Sequence, residues 1–259
     1  LLGIDNLAFT ETGYFADEYD RIFVSHFAAS EKYEQIVSLL ANNPYGQSRR
    51  EILDKTNSQG GGELTRVLYN LESAGFVGSC HPFDKKKNSR TVRYFIGDPF
   101  MRFYFMFIRP FKLKTSKQKQ YFINHIFPSP KFNSWIGRAF ELLCLNHRSR
   151  IAELLGFSSV DYSAGPYFEH SRRGTLSGVQ MDLVFARADK VITLCEAKYQ
   201  NKAIGIDIID EIKSKIERVS SFGNKTVQKV LITKSEPSRD LVNSGFFSKI
   251  ILASDLVKR

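Results

Sequence analysis

Residues 191–202, VITLCEAKYQNK, combine a β-branched, apolar run with an acid and a base two positions apart. Successive side chains of an extended strand point to opposite faces, so Glu196 and Lys198 are expected to project from the same side. A run this apolar is typical of a buried strand, where ionised side chains need partners. The two residues are therefore either an ordinary ion pair at the end of a sheet or part of a chemical site.

A second acid, Asp182, lies in another apolar run, VQMDLVFA, and the turn RADK separates the two runs. This pattern predicts an antiparallel hairpin. A turn centred near Ala188 places Asp182 opposite Leu194 and diagonally beside Glu196, so both carboxylates and Lys198 are expected on one face. Two carboxylates this close repel each other unless a cation or a raised pKa compensates for their charge.

A divalent cation is the compensation that these residue types favour. Carboxylate oxygens suit Mg²⁺ or Mn²⁺, which keep several waters for a substrate phosphate and for an attacking nucleophile. Glu141, on the helix predicted before the hairpin, is the candidate third metal ligand beside Asp182 and Glu196. Lys198 would stabilise negative charge on the phosphate or help to deprotonate a metal-bound water. The pattern favours phosphodiester hydrolysis, with Asp182, Glu196 and Lys198 as the catalytic residues.

The elements that position these residues predict a domain over 131–259, which begins after the sequence PSP at 128–130. A helix over 131–155 carries Glu141, and a loop over 163–178 precedes the hairpin. A helix from about Asp207, the strand QKVLITK, a small helix from about Ser238 and the strand SKIILAS follow. This order indicates a mixed α/β sheet with helices on both sides.

Residues 1–96 have the pattern of a winged helix-turn-helix domain. EKYEQIVSLLANN predicts a first helix, and PYGQSRREILDKT predicts a turn and a shorter second helix. The third helix has an apolar face of Leu64, Val67, Leu68 and Leu71. FVGSCHPF and TVRYFI then predict a β-hairpin, the wing, around the charged loop DKKKNSR.

The composition favours an anionic partner. The chain has 37 Lys and Arg against 27 Asp and Glu, a formal net charge of +10, which favours DNA above other partners. The candidate phosphate contacts are Arg66 on the third helix and, at the tip of the wing, Lys85, Lys86, Lys87 and Arg90. Charged hairpin tips are also common as solvated turns, and acidic residues flank Arg66. A role of this domain in packing on another domain therefore stays open.

Residues 97–130 form an aromatic connector whose rings, at helical spacing, are expected to bury against a neighbouring domain rather than to stack on bases. Its most apolar stretch, residues 99–111, is too short to span a bilayer and contains Arg102 and Arg109. The cysteines, Cys80, Cys144 and Cys195, have the apolar neighbours of buried reduced thiols. With no visible signal peptide, these features predict a cytoplasmic protein that does not enter a membrane.

Asp182 followed by the triplet EAK at 196–198, behind a helix that carries a glutamate, resembles the PD-(D/E)XK nuclease superfamily. The stretches GDPFMRFYFMFIRP, FNSWIGRAFELLC and QMDLVFARADKVITLCEAKY resemble the C-terminal region of prokaryotic, archaeal-type AAA ATPases. The resemblance implies a winged helix followed by a restriction-endonuclease-like mixed sheet flanked by helices. It also implies Asp182, Glu196 and Glu141 as metal ligands and Lys198 as catalytic base or charge stabiliser. Met181 stands where the superfamily's name has proline.

The resemblance also implies a P-loop ATPase domain before this region, but this chain contains no G-x-x-x-x-G-K-[ST] sequence. The nearest stretch, FGNKT at 222–226, lacks the first glycine and follows a predicted helix. We therefore expect ATP to bind only in an N-terminal domain that precedes this chain. That ATPase domain and DNA are the expected partners.

Three functions remain in competition. The first is a DNA-binding, metal-dependent nuclease that serves as the effector region of a larger ATPase. The alternative is a catalytically inactive DNA-binding or regulatory module that docks on the ATPase domain, because folds persist after activity is lost. The third is a domain that binds only proteins.

Overall fold

The computed structural model describes residues 1–10, 12–28, 30–43, 45–56, 61–80, 92–113, 119–169, 179–219, 222 and 225–258. The protein is of mixed α/β class, as predicted, and its described strands form two sheets. It divides into two compact units, the described parts of 1–80 and 92–135 and the described part of 136–258. Within these ranges, no helix is both long and apolar enough to cross a membrane.

The first unit begins with helices and contains a small antiparallel sheet with strand order β1, β3, β2. Its elements are α1 (Leu2–Ala8), α2 (Glu18–Phe27), α3 (Glu31–Ala41), β1 (Gln47–Ser48), α4 (Arg49–Thr56), α5 (Gly61–Ser73), β2 (Val77–Cys80), β3 (Arg93–Ile96), α6 (Pro99–Phe103), a π-helical turn (Tyr104–Ile108), α7 (Arg109–Lys112) and a second π-helical turn (Phe122–Ile126). The three helices and the two hairpin strands lie where the periodicity predicts them. The apolar face of α5 is buried, as expected.

The aromatic segment that begins at Pro99 is buried within the first unit. The Asp98 carboxylate accepts a hydrogen bond from the Phe100 N–H at 2.7 Å and caps the start of α6. The helix widens into the π-helical turn that ends at Ile108, two residues before Pro110, whose ring nitrogen has no hydrogen to donate. Rings of this segment pack edge-on and tilted against Phe9, Phe122, Phe132 and Trp135.

A buried aspartate joins α1 to the second π-helical turn of the same unit. The Asp5 carboxylate accepts hydrogen bonds from the backbone N–H groups of Phe122, at 2.8 Å, and Ile123, at 3.3 Å. These donors stand at the start of the turn, where backbone N–H groups lack partners of their own. Asp5 is only 5% exposed, so water cannot easily replace it.

We expect Asp5→Ala to lower the free energy of unfolding by about 1–3 kcal/mol, because it leaves the buried Phe122 N–H and the partly buried Ile123 N–H without this acceptor. Urea denaturation followed by circular dichroism measures the change. Asp54→Ala is the matched control, since Asp54 is an exposed residue of α4 whose carboxylate forms a surface ion pair with Arg50. Equal losses in the two variants would show that the Asp5 contacts do not stabilise the fold.

The second unit is built on a five-stranded sheet, among the strands described, with order β4, β5, β6, β7, β8. Its elements are α8 (Pro130–Asn146), which begins in the first unit, α9 (Arg148–Leu154), β4 (Tyr162–Glu169), β5 (Val179–Arg187), β6 (Val191–Lys198), α10 (Ile208–Glu217), β7 (Thr226–Thr233), α11 (Arg239–Asn243), β8 (Lys249–Leu252) and α12 (Ala253–Val257). Pairing is antiparallel from β4 to β6 and parallel from β6 to β8. The sheet is mixed, as predicted.

Two local predictions for the second unit were wrong. The single helix expected over 131–155 is interrupted at His147, which separates α8 from α9. Part of the loop expected over 163–178 is strand β4, which contains Gly165 and Pro166. Both residues disfavour strands, but β4 is the outer strand of the order, where such residues are tolerated.

The sheet of the second unit has apolar side chains on both faces. On one face, Leu183, Phe185 and Cys195 pack with residues of α8 and α9. On the other face, Val184, Ile192 and Leu194 pack with residues of α10 and α11. This double coverage explains why β5 and β6 read as continuous apolar runs.

Candidate active site

The hairpin of β5 and β6 sets the position of the candidate catalytic residues. Val184, not Asp182, pairs with Leu194. The predicted register was wrong by two residues, because the paired positions are centred on Asp189 instead of Ala188. In this register Asp182 and Glu196 are the next residues beyond the last pair of the β5–β6 ladder, so they are closer neighbours than predicted.

A β-bulge lies at Asp182. The register between β4 and β5 shifts between Gly165 and Tyr167, so that Asp182 and Leu183 oppose Pro166 alone. Bulges bend a strand and redirect its side chains, and they often occur next to active sites. The alternation of buried faces along β5 changes phase at this point, since Met181 packs on the same side of the sheet as Val184.

Asp182 is almost completely buried, with 8% of its surface exposed. Its Oδ2 atom accepts a hydrogen bond from the backbone N–H of Ala197 on β6, at 2.9 Å. Burial raises the pKa of Asp182 well above its ordinary value, and the negative charges of Glu196 and Glu141 raise it further. The surroundings of this carboxyl group are therefore short of positive charge.

Glu196 is the most buried acid of the site, with 1% of its surface exposed. Its Oε1 atom accepts a hydrogen bond from Lys215 Nζ at 2.6 Å and lies 3.0 Å from Lys198 Nζ. Its Oε2 atom is buried and has no hydrogen-bond partner among the described residues. A buried carboxylate oxygen without a partner is costly, and a bound cation would remove that cost.

Glu211 completes a network of two acids and two bases between β6 and α10. Each of its two carboxylate oxygens accepts a hydrogen bond from Lys198 Nζ, at 3.0 and 3.1 Å. Its Oε1 atom also lies 2.9 Å from Lys215 Nζ. Burial acts to raise the pKa of Glu211, but hydrogen bonds from Lys215 and Lys198 outweigh it and lower the pKa to about 2. Burial acts to lower the pKa of both lysines, yet Glu196 and Glu211 raise it above the ordinary lysine value.

Glu141 stands apart from this network. Its carboxylate pairs with Arg138, one turn earlier on α8, at 2.5 Å. Helix α8 packs on one face of the sheet, and α10 packs on the other. Glu196 lies two residues after Leu194, so its side chain is on the same face as Leu194, the face that α10 covers. Within the described ranges, no group of three or more His, Cys, Asp or Glu side chains is arranged to hold a metal ion. The role of Glu141 as a third ligand stays a prediction.

Asp182 and Glu196 have the type of side chain that hard cations prefer. Both supply carboxylate oxygens from adjacent strands. Burial and, after it, the neighbouring negative charges raise the pKa of Asp182. One Glu196 oxygen is buried without a partner in the part of the chain described. Mg²⁺ is commonly held by one or two carboxylates together with waters and substrate phosphates. The residue types of this pair are therefore those that Mg²⁺ or Mn²⁺ prefers, and a metal site at Asp182 and Glu196 stays a prediction.

Glu211 and Lys215 are site residues that the sequence pattern did not predict. Their spacing of four residues on an amphipathic helix is a signal for an ion pair on one helix face. It does not show that this face lies against Glu196 and Lys198, because the rotation of α10 is set by the packing of Ile208, Ile209 and Ile212 on the sheet.

Of the predicted DNA contacts, Arg66 lies in the first unit. Arg66 is exposed on α5, and so is Tyr69, with 68% of its surface accessible. Glu63, on the same helix, pairs with Lys32 of α3. The other predicted contacts, Lys85, Lys86, Lys87 and Arg90, lie outside the described residues.

A solved structure is similar to part of this chain. No family model matches the sequence, and no curated protein matches it. The crystal structure of a protein of unknown function, AF1548, aligns with 18% sequence identity and a TM-score of 0.31. The alignment covers 42% of this chain and 56% of that protein, so this chain spans little more than half of its length.

Proposed function

We propose that the second unit is a metal-dependent, DNA-hydrolysing nuclease domain with a restriction-endonuclease-like fold. The observation that carries this proposal is the pair of buried carboxylates, Asp182 and Glu196, on adjacent strands with the Lys198 ammonium 3.0 Å from Glu196. Burial raises the pKa of Asp182, and buried groups with perturbed pKa values are more frequent at functional sites than elsewhere. The order of elements and the resemblance of residues 182–198 to the PD-(D/E)XK superfamily support the same conclusion.

Each residue has a role in this proposal. Asp182 and Glu196 would hold Mg²⁺ or Mn²⁺, which polarises a phosphate oxygen and lowers the pKa of a bound water. The Ala197 N–H orients Asp182 by its hydrogen bond. Because the carboxylates around it raise the pKa of Lys198, this side chain carries a proton at neutral pH. Lys198 therefore serves as a stabiliser of charge on the phosphate rather than as the base.

The first unit would deliver the DNA. Helices α3, α4 and α5 with the sheet of β1, β3 and β2 support a winged-helix domain, in which α5 is the recognition helix. Arg66 and the exposed ring of Tyr69 project from α5. The net charge of +10 supports an electrostatic attraction to DNA. The resemblance to archaeal-type AAA ATPases adds an N-terminal ATPase domain as the second partner.

Cleavage of plasmid DNA tests the proposal. We expect the purified chain to cut DNA with Mn²⁺ or Mg²⁺ and not with EDTA, and we expect Asp182→Asn and Glu196→Gln to abolish cutting. Both substitutions keep the shape of the side chain and remove its charge. Asp161→Asn is the matched control, because Asp161 is an exposed residue before β4. Failure to cut, or cutting that survives both substitutions, would refute the enzyme assignment.

One observation favours a second candidate function, a catalytically inactive module that binds DNA or docks on the ATPase domain. Lys198 and Lys215 already neutralise Glu196, as two lysines would in a purely structural ion network. This alternative predicts salt-sensitive DNA binding by the first unit that is unchanged in Lys198→Ala. Absence of any DNA binding at low salt would leave a domain that binds only proteins.

A further inference from the structure

Helix α10 contributes two charged residues to a site that the sequence assigns to strands β5 and β6. Glu211 and Lys215 lie one helical turn apart, so their side chains share a face of α10. That face meets the ends of Glu196 and Lys198, and every acid in this group is within 3.1 Å of both ammonium groups. The arrangement is a square of alternating charges.

The Lys198 ammonium contacts two acids, Glu196 and Glu211. It lies 3.0 Å from Glu196 Oε1 and makes two hydrogen bonds to Glu211, one to each oxygen. Without Glu211, the flexible lysine side chain would be drawn to Glu196 alone, whose charge the bound cation also needs. Glu211 therefore fixes where this ammonium group stands.

Lys215 acts in the same way on Glu196. Its contact of 2.6 Å is the shortest in the network, and it engages Oε1 only. The side chains of Lys215 and Glu196 are 17% and 2% exposed, so the contact is largely shielded from water. By holding Oε1, Lys215 sets the rotation of the carboxylate and leaves Oε2, which has no partner among the described residues, for a cation.

We propose that Glu211 and Lys215 are positioning residues of the nuclease site: Glu211 places the Lys198 ammonium, and Lys215 orients the Glu196 carboxylate. This inference rests on the proposed function, and it adds α10 to a site otherwise formed by β5 and β6. Residues that hold metal ligands and catalytic groups in place typically change activity or metal affinity by about 10- to 100-fold when they are replaced.

Kinetics of DNA cleavage with Mn²⁺ test the role of Glu211. We expect Glu211→Gln to lower kcat by about 10- to 100-fold and to leave KM for DNA unchanged, because Lys198 is displaced while the DNA-binding surface is intact. Glu217→Gln, an exposed residue of the same helix, is the matched control. A kcat equal to that of the control, or a change in KM alone, would overturn the role of Glu211.

Titration calorimetry with Mn²⁺ tests the role of Lys215. Lys215→Met removes the donor that holds Glu196 Oε1, so we expect Mn²⁺ to bind about tenfold more weakly. We also expect kcat to fall, and Lys215→Arg to restore most of the affinity and of kcat. A lysine that acts on the cation only through its charge would instead tighten Mn²⁺ binding when it is removed. Lys213→Met, on the exposed side of α10, is the control. Mn²⁺ binding as tight as that of the Lys213→Met control or tighter, or no rescue by arginine, would overturn the inference.

These experiments distinguish a failure of the nuclease function from a failure of the roles of Glu211 and Lys215. If the wild-type chain neither binds Mn²⁺ nor cuts DNA, the proposed function fails and the roles of Glu211 and Lys215 fail with it. If the wild-type chain does both, but the Glu211 and Lys215 variants match the Glu217 and Lys213 controls, only the contribution of α10 is refuted.

Discussion

Replacing Glu196 by alanine is expected to lower the free energy of unfolding by about 2–4 kcal/mol. Glu196 is 1% exposed, and it shares two lysine ammonium groups with Glu211. Its removal leaves Lys198 and Lys215, both largely shielded from water, with one carboxylate between them. Removing one partner of a buried ion pair is costly because the other charge is left uncompensated. Glu211 still contacts both lysines, so we expect a loss of stability near the lower end of the range given above.

Glu196→Gln separates the charge of Glu196 from its volume. The amide still offers an oxygen to Lys215, so we expect a loss smaller than that of Glu196→Ala, measured by urea denaturation of both variants. Glu217→Ala, an exposed glutamate of α10, gives the background effect of an alanine substitution. A Glu196→Ala variant as stable as the Glu217→Ala control would mean that the network contributes nothing to the fold.

Asp182→Asn is expected to act in the opposite direction and to stabilise the metal-free protein by about 1–3 kcal/mol near neutral pH. Burial raises the pKa of Asp182 well above its ordinary value, and repulsion from the negative charges of Glu196 and Glu141 raises it further. Asparagine removes the charge and keeps an oxygen for the hydrogen bond from Ala197 N–H. A residue that destabilises the fold but is needed for activity is typical of functional sites.

The gain depends on pH in a direction that follows from the raised pKa of Asp182. A carboxyl group whose folded-state pKa exceeds its unfolded value contributes stability that is fully present below the unfolded pKa of about 3.9, and this contribution is lost as the pH rises through the folded pKa. The stability difference between Asp182→Asn and the wild type should therefore be small at pH 4 and grow towards neutral pH. Glu211, whose pKa is lowered to about 2, contributes in the opposite sense, but both proteins contain it.

Thermal unfolding between pH 4 and pH 8, in EDTA, measures this effect. Asp161→Asn is the control, since it removes one exposed carboxylate from the same unit. In Mn²⁺ the order should reverse, because the wild type gains stability from the bound ion and Asp182→Asn does not. An Asp182→Asn variant less stable than the wild type in EDTA at every pH would show that the Asp182 charge is well compensated in the metal-free fold.

Local periodicity was sufficient to predict most elements of this protein. The apolar face of α5, with Leu64 and Leu71, and the isoleucines of α10 are buried as the helical spacing predicts. The proximity of Glu196 and Lys198 follows from alternation along β6 alone. These features depend on residues close together in sequence, so one helix or one strand determines them.

The geometry that decides the chemistry depends on more distant residues. The hairpin register is set by the turn around Asp189, and an error of one residue at the turn centre moves every pair by two. The bulge at Asp182 depends on Pro166, in a segment whose glycine and proline predict a loop. The approach of Lys215 to Glu196 depends on how α10 rotates on the sheet, which no spacing within α10 specifies.

The bulge opposite Pro166 has a consequence for how the chain behaves at high concentration. Strand β4 is outermost in the sheet of the second unit, among the strands described, and an outer strand is the natural template for intermolecular β-pairing. Pro166 carries no N–H to offer a second molecule, and the irregular register beside it breaks the flat ladder that such growth needs. The same irregularity that redirects Asp182 thus also protects this edge of the sheet against aggregation.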